Sequence, residues 1–246
     1  MRVKKEASGR RSVQTEFEVP GTPEEVWQAI ATGPGMEPRA VLTAWDPPRM
    51  YAGQNEGWNG SPPIATEWNV QARAGGVCLV RVVHSLFAST DDWDNQLQST
   101  ETGWSAFLRT LQIYLTHFRG LRSTLMKWMV PAAGTEGEAW ESLTTALGLR
   151  GASVGQHWTA PTGVPVLSGV VEYVSQSPYD ILLRLDNPGP AAAAFGAVNM
   201  GGPSMVGLNV YLYGDRAAAI AAQQSPLWEA WFQEQFSMPS PASQGD

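Results

Sequence analysis

The sequence predicts an α+β protein made of two successive units, each running strand, helix, strands, long helix. Three observations predict it. Several segments alternate apolar and polar residues as half-buried strands do, and the stretch from about Thr102 to Phe118 carries an apolar stripe at helical spacing. The pattern that opens the chain also recurs at a constant offset of 113 residues.

Ser12 to Val19 places Val13, Thr15, Phe17 and Val19 on one face and Gln14, Glu16 and Glu18 on the other, the signature of a strand. Pro20-Gly21 ends it. Thr22 then offers an N-cap, Pro23 the first helical position, and Glu25 the acid three residues on that completes a capping box. The helix so opened extends to Thr32 on the stripe Val26, Trp27 and Ile30, and Gly33-Pro34-Gly35 breaks it. Further strands are expected at Ala40–Asp46, at Ile64–Arg73 and, across a Gly75-Gly76 turn, at Val77–Phe87. After an acidic loop at Asp91–Asp94, Trp104, Phe107, Leu108, Leu111, Leu115 and Phe118 line one face of a long helix that Gly120 stops.

The second unit repeats these landmarks. Thr22, Glu25, Trp27, Ile30 and Thr32 match Thr135, Glu138, Trp140, Leu143 and Thr145. Gly75-Gly76 recurs as Gly201-Gly202, and Trp104 as Trp228, at offsets of 126 and 124, so the second copy carries a modest insertion. Its strands are expected at Leu167–Val174, Ile181–Leu185 and Val206–Tyr213, with Asn187 to Pro190 and the alanine run Ala191–Ala194 as an irregular connection. A terminal helix, Ala217–Phe236, is expected to be interrupted near Pro226. Residues 12–120 thus form the first domain and 135–237 a diverged second one. Between them lies a docked linker at 121–134, bearing Leu121, Leu125, Met126, Trp128, Met129 and Val130, with a short helix as one form it can take; 238–246 reads as a disordered tail.

Composition narrows the function classes. The 246 residues are 43% hydrophobic, enough for a sizeable core, and 25 glycines with 18 prolines call for many turns. A net charge of −7 gives no general attraction to phosphate backbones or anionic lipid, so no nucleic-acid partner is expected. The basic cluster Arg2, Lys4, Lys5, Arg10 and Arg11 reads as a solvated, frayed N-terminus. The single cysteine, Cys78, excludes an intrachain disulfide and a Cys-rich zinc site. With neither a membrane-length apolar run nor a secretory signal in the sequence, the expected setting is the cytoplasm.

Phe17-Glu-Val-Pro-Gly-Thr-Pro-Glu-Glu-Val-Trp27, Thr43-Ala-Trp-Asp-Pro-Pro-Arg49, Gly75-Gly76 through Arg81-Val-Val-His84-Ser-Leu-Phe87, and Gly103-Trp104 with the helix to Phe118 carry a family resemblance. Over residues 12–120 the chain resembles the activator of heat-shock-protein-90 ATPase homologue family, within the START/polyketide-cyclase (SRPBCC) superfamily of helix-grip folds. The second half is similar to the C-terminal extension of actinobacterial members. The resemblance implies a helix-grip fold, an antiparallel sheet wrapped on a long C-terminal helix with a cavity between them. It also implies a shortened first copy. The family places a short helix and two strands between the first helix and the Trp-Asp-Pro-Pro segment, where this chain has only Gly33–Ala40. Such a sheet has an open edge through which a homodimer is conceivable.

The chemical inventory is mostly negative, and no catalytic residue, metal or cofactor is expected. His84 shares the apolar face of its strand with Cys78, Val80, Val82 and Leu86, where it either packs or meets a ligand's polar end; His117 suits a helix C-terminus and His157 a loop. Asp91, Asp92 and Asp94 lack the glycine and distal glutamate of a calcium loop. Gly201-Gly202 is not followed by the Gly-Lys-Ser/Thr of a phosphate loop, and Gly-x-Ser-x-Gly is absent. An apolar strand should raise the Cys78 pKa, the opposite of an activated thiolate. What remains is aromatic. Trp27, Trp45, Trp68, Val82, His84, Trp104, Phe107, Leu108 and Leu111 are the candidate lining of a cavity, with ordinary core as the other reading. The expected function is a non-enzymatic START-like protein binding a hydrophobic small molecule. The resemblance leaves open a protein-interaction or co-chaperone-like module acting on a chaperone ATPase and, less favoured, a polyketide-cyclase-like enzyme.

Overall fold

The computed structural model describes residues 2–5, 11–32, 41–55, 64–86, 107–176, 179–199 and 202–236. The chain divides into Met1–Arg119 and Gly120–Asp246.

In the first unit, β1 (Arg2–Lys5) and β2 (Arg11–Pro20) precede helix α1 (Pro23–Thr32). Strands β3 (Val41–Asp46), β4 (Met50–Asn55), β5 (Ile64–Arg73) and β6 (Val77–Leu86) come next, then helix α2 at 107–117. The antiparallel sheet has the order β1-β2-β6-β5-β4-β3. Its period of two does what the sequence pattern demands. Val19, Trp68, Val70, Cys78, Val80 and Val82 face inward and meet Val26, Ala29 and Ile30 of α1 and Leu108, Leu111 and Leu115 of α2. Burying each such large apolar side chain contributes about 1.5–3 kcal/mol.

The turn into α1 is held from several sides. Gly21 adopts φ +128°, which a side chain rarely tolerates. Its N–H donates to the Gly76 carbonyl at 2.9 Å and its own carbonyl accepts from Cys78 Sγ at 3.2 Å. The expected capping box is present: Thr22 N donates to Glu25 Oε2 at 2.8 Å and Glu25 N to Thr22 Oγ1 at 3.3 Å. Arg119, just past α2, reaches Glu25 Oε2 at 3.0 Å.

In the second unit, β7 (Ser123–Ala132) precedes helix α3 (Glu136–Ala146). Strands β8 (His157–Thr159), β9 (Ser168–Gln176), β10 (Tyr179–Asn187), β11 (Ala191–Asn199) and β12 (Ser204–Tyr213) lead to helix α4 (Ala217–Phe236). The sheet order is β7-β12-β11-β10-β9-β8. The connectivity is that of the first unit, with β7 for β2, α3 for α1, β12 for β6 and α4 for α2. The correspondence extends to single residues. Val19 lies opposite Cys78 and Ala132 opposite Ser204; Gly134, like Gly21, has a positive φ; and Ser204 Oγ donates to the Gly134 carbonyl at 2.9 Å, as Cys78 does to Gly21.

Several expectations need correction. The residues expected as a linker, 121–134, hold strand β7, paired along its full length with β12 and belonging to the second unit. Mixed apolar and polar spacing on a two-faced edge strand reads equally well as a docked segment. Arg2, Lys4 and Lys5 lie in β1 rather than on a frayed terminus, antiparallel to β2. Strand β4 was not anticipated: Met50 to Asn55 has weak strand propensity and is set by pairing with β3 and β5. The alanine run is the start of β11, a central strand where small side chains let α3 approach. His157 opens β8 instead of lying in a loop. Helix α4 runs unbroken through Pro226. The first sheet is shorter only at the β3 edge, where among the described residues nothing corresponds to β8, and β1 brings it to six strands. The Gly33–Ala40 break, the Asp91–Asp94 loop, Trp104, Gly201 and the 238–246 tail lie outside the described residues.

Candidate functional site

The second unit has a cleft of about 260 Å³ between α3, the turn after it, and the β9–β10 hairpin. The capping box at Thr135, with Thr135 N donating to Glu138 Oε2 at 2.7 Å, fixes where α3 begins. Gly137, Trp140, Glu141 and Thr144 then fall on one helical face and form one wall. After α3 the chain folds back: the N–H groups of Leu149 and Arg150 both donate to the Thr144 carbonyl, at 2.8 and 3.2 Å. Trp158 of β8 secures this return by donating its indole N–H to the Leu147 carbonyl at 2.9 Å. Leu149, Arg150, Gly151 and Ala152 close the second side. The floor is two cross-strand pairs of the hairpin, Val174 with Ile181 and Gln176 with Tyr179.

Tyr179 lies against Trp140, ring centroids 5.8 Å apart and planes at 34°. Gly137 makes this possible, since a Cβ there would lie 2.9 Å from the Tyr179 hydroxyl. The charges at the rim neutralise each other, Arg150 Nη2 meeting Glu141 Oε1 at 2.5 Å. Thr144 spends its proton on the Trp140 carbonyl at 2.8 Å. No histidine or cysteine is among the lining residues, whose polar side chains are those of Glu141, Thr144, Arg150, Gln176 and Tyr179.

The residues expected from the sequence lie in the first unit, and the structure brings part of that set together. Trp68 is fully buried, Val82, Leu108 and Leu111 nearly so, and Phe107 packs edge-on to Trp68 at 6.0 Å. Trp27 is half-buried on α1. Trp45 lies on β3 opposite Tyr51, and His84 on β6 opposite Val13 and Thr66, but their side chains fall outside what is described; Trp104 lies outside altogether. The cleft itself was missed. The available signal was the repeat, because Trp140 is the counterpart of Trp27, one of the residues singled out. Burial raises the Cys78 pKa, with Glu24 and Glu25 adding to it, as an inert thiol requires. Among the described residues no cluster has the make-up of a metal site, and no helix is long and apolar enough to cross a membrane.

No family model matches the chain, and no curated protein does. Among solved structures it is similar to the di-domain ARO/CYC BexL from the BE-7585A biosynthetic pathway, with 10% identity, TM-score 0.37, and coverage of 94% of this chain and 100% of that one. It is similar also to DynU16, from the dynemicin biosynthetic locus, at 13% identity and TM-score 0.35 over 89% of this chain and 94% of that one. An AHSA1-like protein from Rhizobium etli matches at 20% identity and TM-score 0.35, over 48% of this chain and 90% of its own. The α+β assignment rests on the chain's own sheets and helices.

Proposed function

We propose that this chain binds a small, largely apolar molecule without transforming it, and that the ligand occupies the α3 cleft of the second unit. The observation that carries this is the cleft itself, a concave site where Tyr179 and Val174 stand among the polar side chains of Glu141, Arg150 and Gln176, with Trp140 and Ile181 packed behind them. The first unit's Trp68, Val82, Leu108 and Leu111 serve as packing in this reading. Titrating the full chain, its tryptophan indoles isotope-labelled, with naphthalene should move one indole resonance, assigned to Trp140 by its loss in Trp140→Phe. Movement confined to Trp27 or Trp68 would place the ligand in the first unit, and no movement at all would end the ligand-binding proposal.

A second reading has its own observation. Leu121, Leu125 and Met129, each more than 40% exposed, lie on and beside β7, and exposed apolar residues grouped in this way suit a protein partner, a co-chaperone role included. If so, protein purified from its own host retains a bound polypeptide in native mass spectrometry, and Leu125→Asp with Met129→Asp releases it. A co-purifying small molecule with no polypeptide would favour the first reading.

A further inference from the structure

The second sheet leaves one long edge free, and the first unit shows what such an edge takes. Strand β7 pairs with β12 over ten residues without a break in register, and among the described residues no strand lies on its other side. Gly214 N donates to the Arg122 carbonyl at 3.0 Å, one step beyond the Tyr213–Ser123 pair. Bonded pairs alternate along an antiparallel ladder, so Thr124, Met126, Trp128 and Val130 bond β12. Leu125, Lys127 and Met129 therefore aim their N–H and C=O groups away from the sheet. Pro131 comes next and has no N–H, which ends the row of outward donors. In the first unit the same edge is occupied. Strand β1 lies antiparallel on residues 11–14 of β2, and the offset of 113 that takes Val19 to Ala132 takes those residues to 124–127. The side chains along the free edge narrow the kind of strand that fits. Leu125 and Met129 are each 44% exposed, and Lys127 stands exposed between them with no ion pair among the described residues. A second copy suits this edge poorly. The two-fold register that sets Leu125 against the other copy's Met129 also sets Lys127 against its own counterpart, and like charges directly opposite are destabilising. A strand with an acid between two apolar residues matches all three positions.

We propose that β7 accepts an extended segment of a partner protein as an added antiparallel strand, its apolar–acidic–apolar alternation set against Leu125, Lys127 and Met129. This rests on β7 being a partner surface, the second reading of the function, and the test separates the two. The probe is a blocked heptapeptide of threonines whose second, fourth and sixth residues are valine, glutamate and valine. It is titrated into the full chain while hydrogen exchange is followed residue by residue. In the free protein the N–H groups of Leu125, Lys127 and Met129 should exchange rapidly and those of Met126, Trp128 and Val130 slowly. At about ten times its Kd the peptide should slow the first set about tenfold and leave the second unchanged. A peptide with lysine in place of the glutamate should bind more weakly by about threefold to tenfold. Lys127→Glu should reverse that preference, with slow exchange of Met126 and Trp128 showing the variant to be folded. Peptide contact with the Leu125 and Met129 side chains that leaves the three N–H groups unprotected would overturn strand addition and leave the partner surface standing. Equal affinity for the two peptides, or no response to either at millimolar concentration, would overturn the proposal, and the native mass spectrum would still decide for or against a partner. Protection in the free chain that rises with its own concentration would give the edge to a second copy instead, and the proposal would fail.

Discussion

The two units share a frame and differ in what fills it. Among the described residues of the first, Val19, Val26, Ile30, Val80, Val82, Leu108, Leu111 and Leu115 surround one buried tryptophan, Trp68, with Phe17, Trp27, Phe107 and Tyr114 partly buried against them. In the second, the position opposite Leu208 that corresponds to Trp68 holds Phe195, and around it gather Trp128, Trp158, Trp228, Trp231 and Phe232, with Trp228 and Trp231 centroids 5.3 Å apart. Yet the strand order, the capped first helix and its tie to the strand beneath it recur. The frame is set by local devices that have few chemical substitutes: a glycine with positive φ, a threonine and glutamate three apart, and a donor that bonds the glycine carbonyl. The core needs only volume and apolarity, which many residue sets supply. In both units the described residues between sheet and long helix are buried, and the second unit's cleft lies on its first helix, α3.

The largest effect should come from emptying the paired core position. Phe195→Ala and Trp68→Ala, both at fully buried sites, should each cost about 3–5 kcal/mol. Hydrogen exchange measured by mass spectrometry should show lost protection in β10–β12 for the first and in β5–β6 for the second. Loss across both units from either substitution would mean that they form one cooperative core, and the comparison between independent frames would fail.

The same division decides how far the sequence carried the fold. Elements whose ends are marked by specific chemistry, such as Thr22 to Thr32 or the Gly75-Gly76 turn, were legible to within a residue or two. The strands β4 and β11 were not, because Met50 to Asn55 and the alanines of 191–194 have little strand propensity of their own and are strands because neighbours pair with them. Strand β7 was hidden differently: its outward residues Leu125 and Met129 are apolar yet exposed, which blurs the alternation. The cleft is assembled from α3, its return turn and a hairpin, segments up to some forty residues apart, and no local pattern announces a juxtaposition set by the turn at Leu147–Arg150. Only Trp140 was within reach, through its match to Trp27.

The two caps allow a finer test. Thr22→Ala and Thr135→Ala should each cost about 1 kcal/mol. The acids of both boxes are held below the usual carboxylate range, Glu138 chiefly by the Thr135 N–H and Glu25 by the Thr22 N–H and then Arg119. A carboxylate with a lowered folded pKa contributes stability that is complete above its unfolded value of 4.5 and lost as the pH falls through the folded one. The drop in denaturation midpoint between neutral pH and about pH 3.5 should therefore shrink in the Glu25→Gln, Glu138→Gln double variant. An unchanged drop would show that the caps do not contribute to acid sensitivity.

The smallest effect concerns the clamp that ties each first helix to its sheet. Cys78 Sγ and Ser204 Oγ donate to Gly21 and Gly134 carbonyls at 3.2 and 2.9 Å, so two different atoms do one job at corresponding places. Ser204→Ala deletes a donor and strands an acceptor, and should cost about 1 kcal/mol. Cys78→Ser keeps the donor but sets a hydroxyl beside Val19 and Val26, in a pocket where the thiol has no accessible surface, so a cost below that of Ser204→Ala is expected only if the bond outweighs the apolar packing. Denaturation of the two variants under identical conditions decides it. A Cys78→Ser penalty larger than the Ser204→Ala one would mean that position 78 serves the core first and the clamp second, and that the correspondence between the units ends at the backbone.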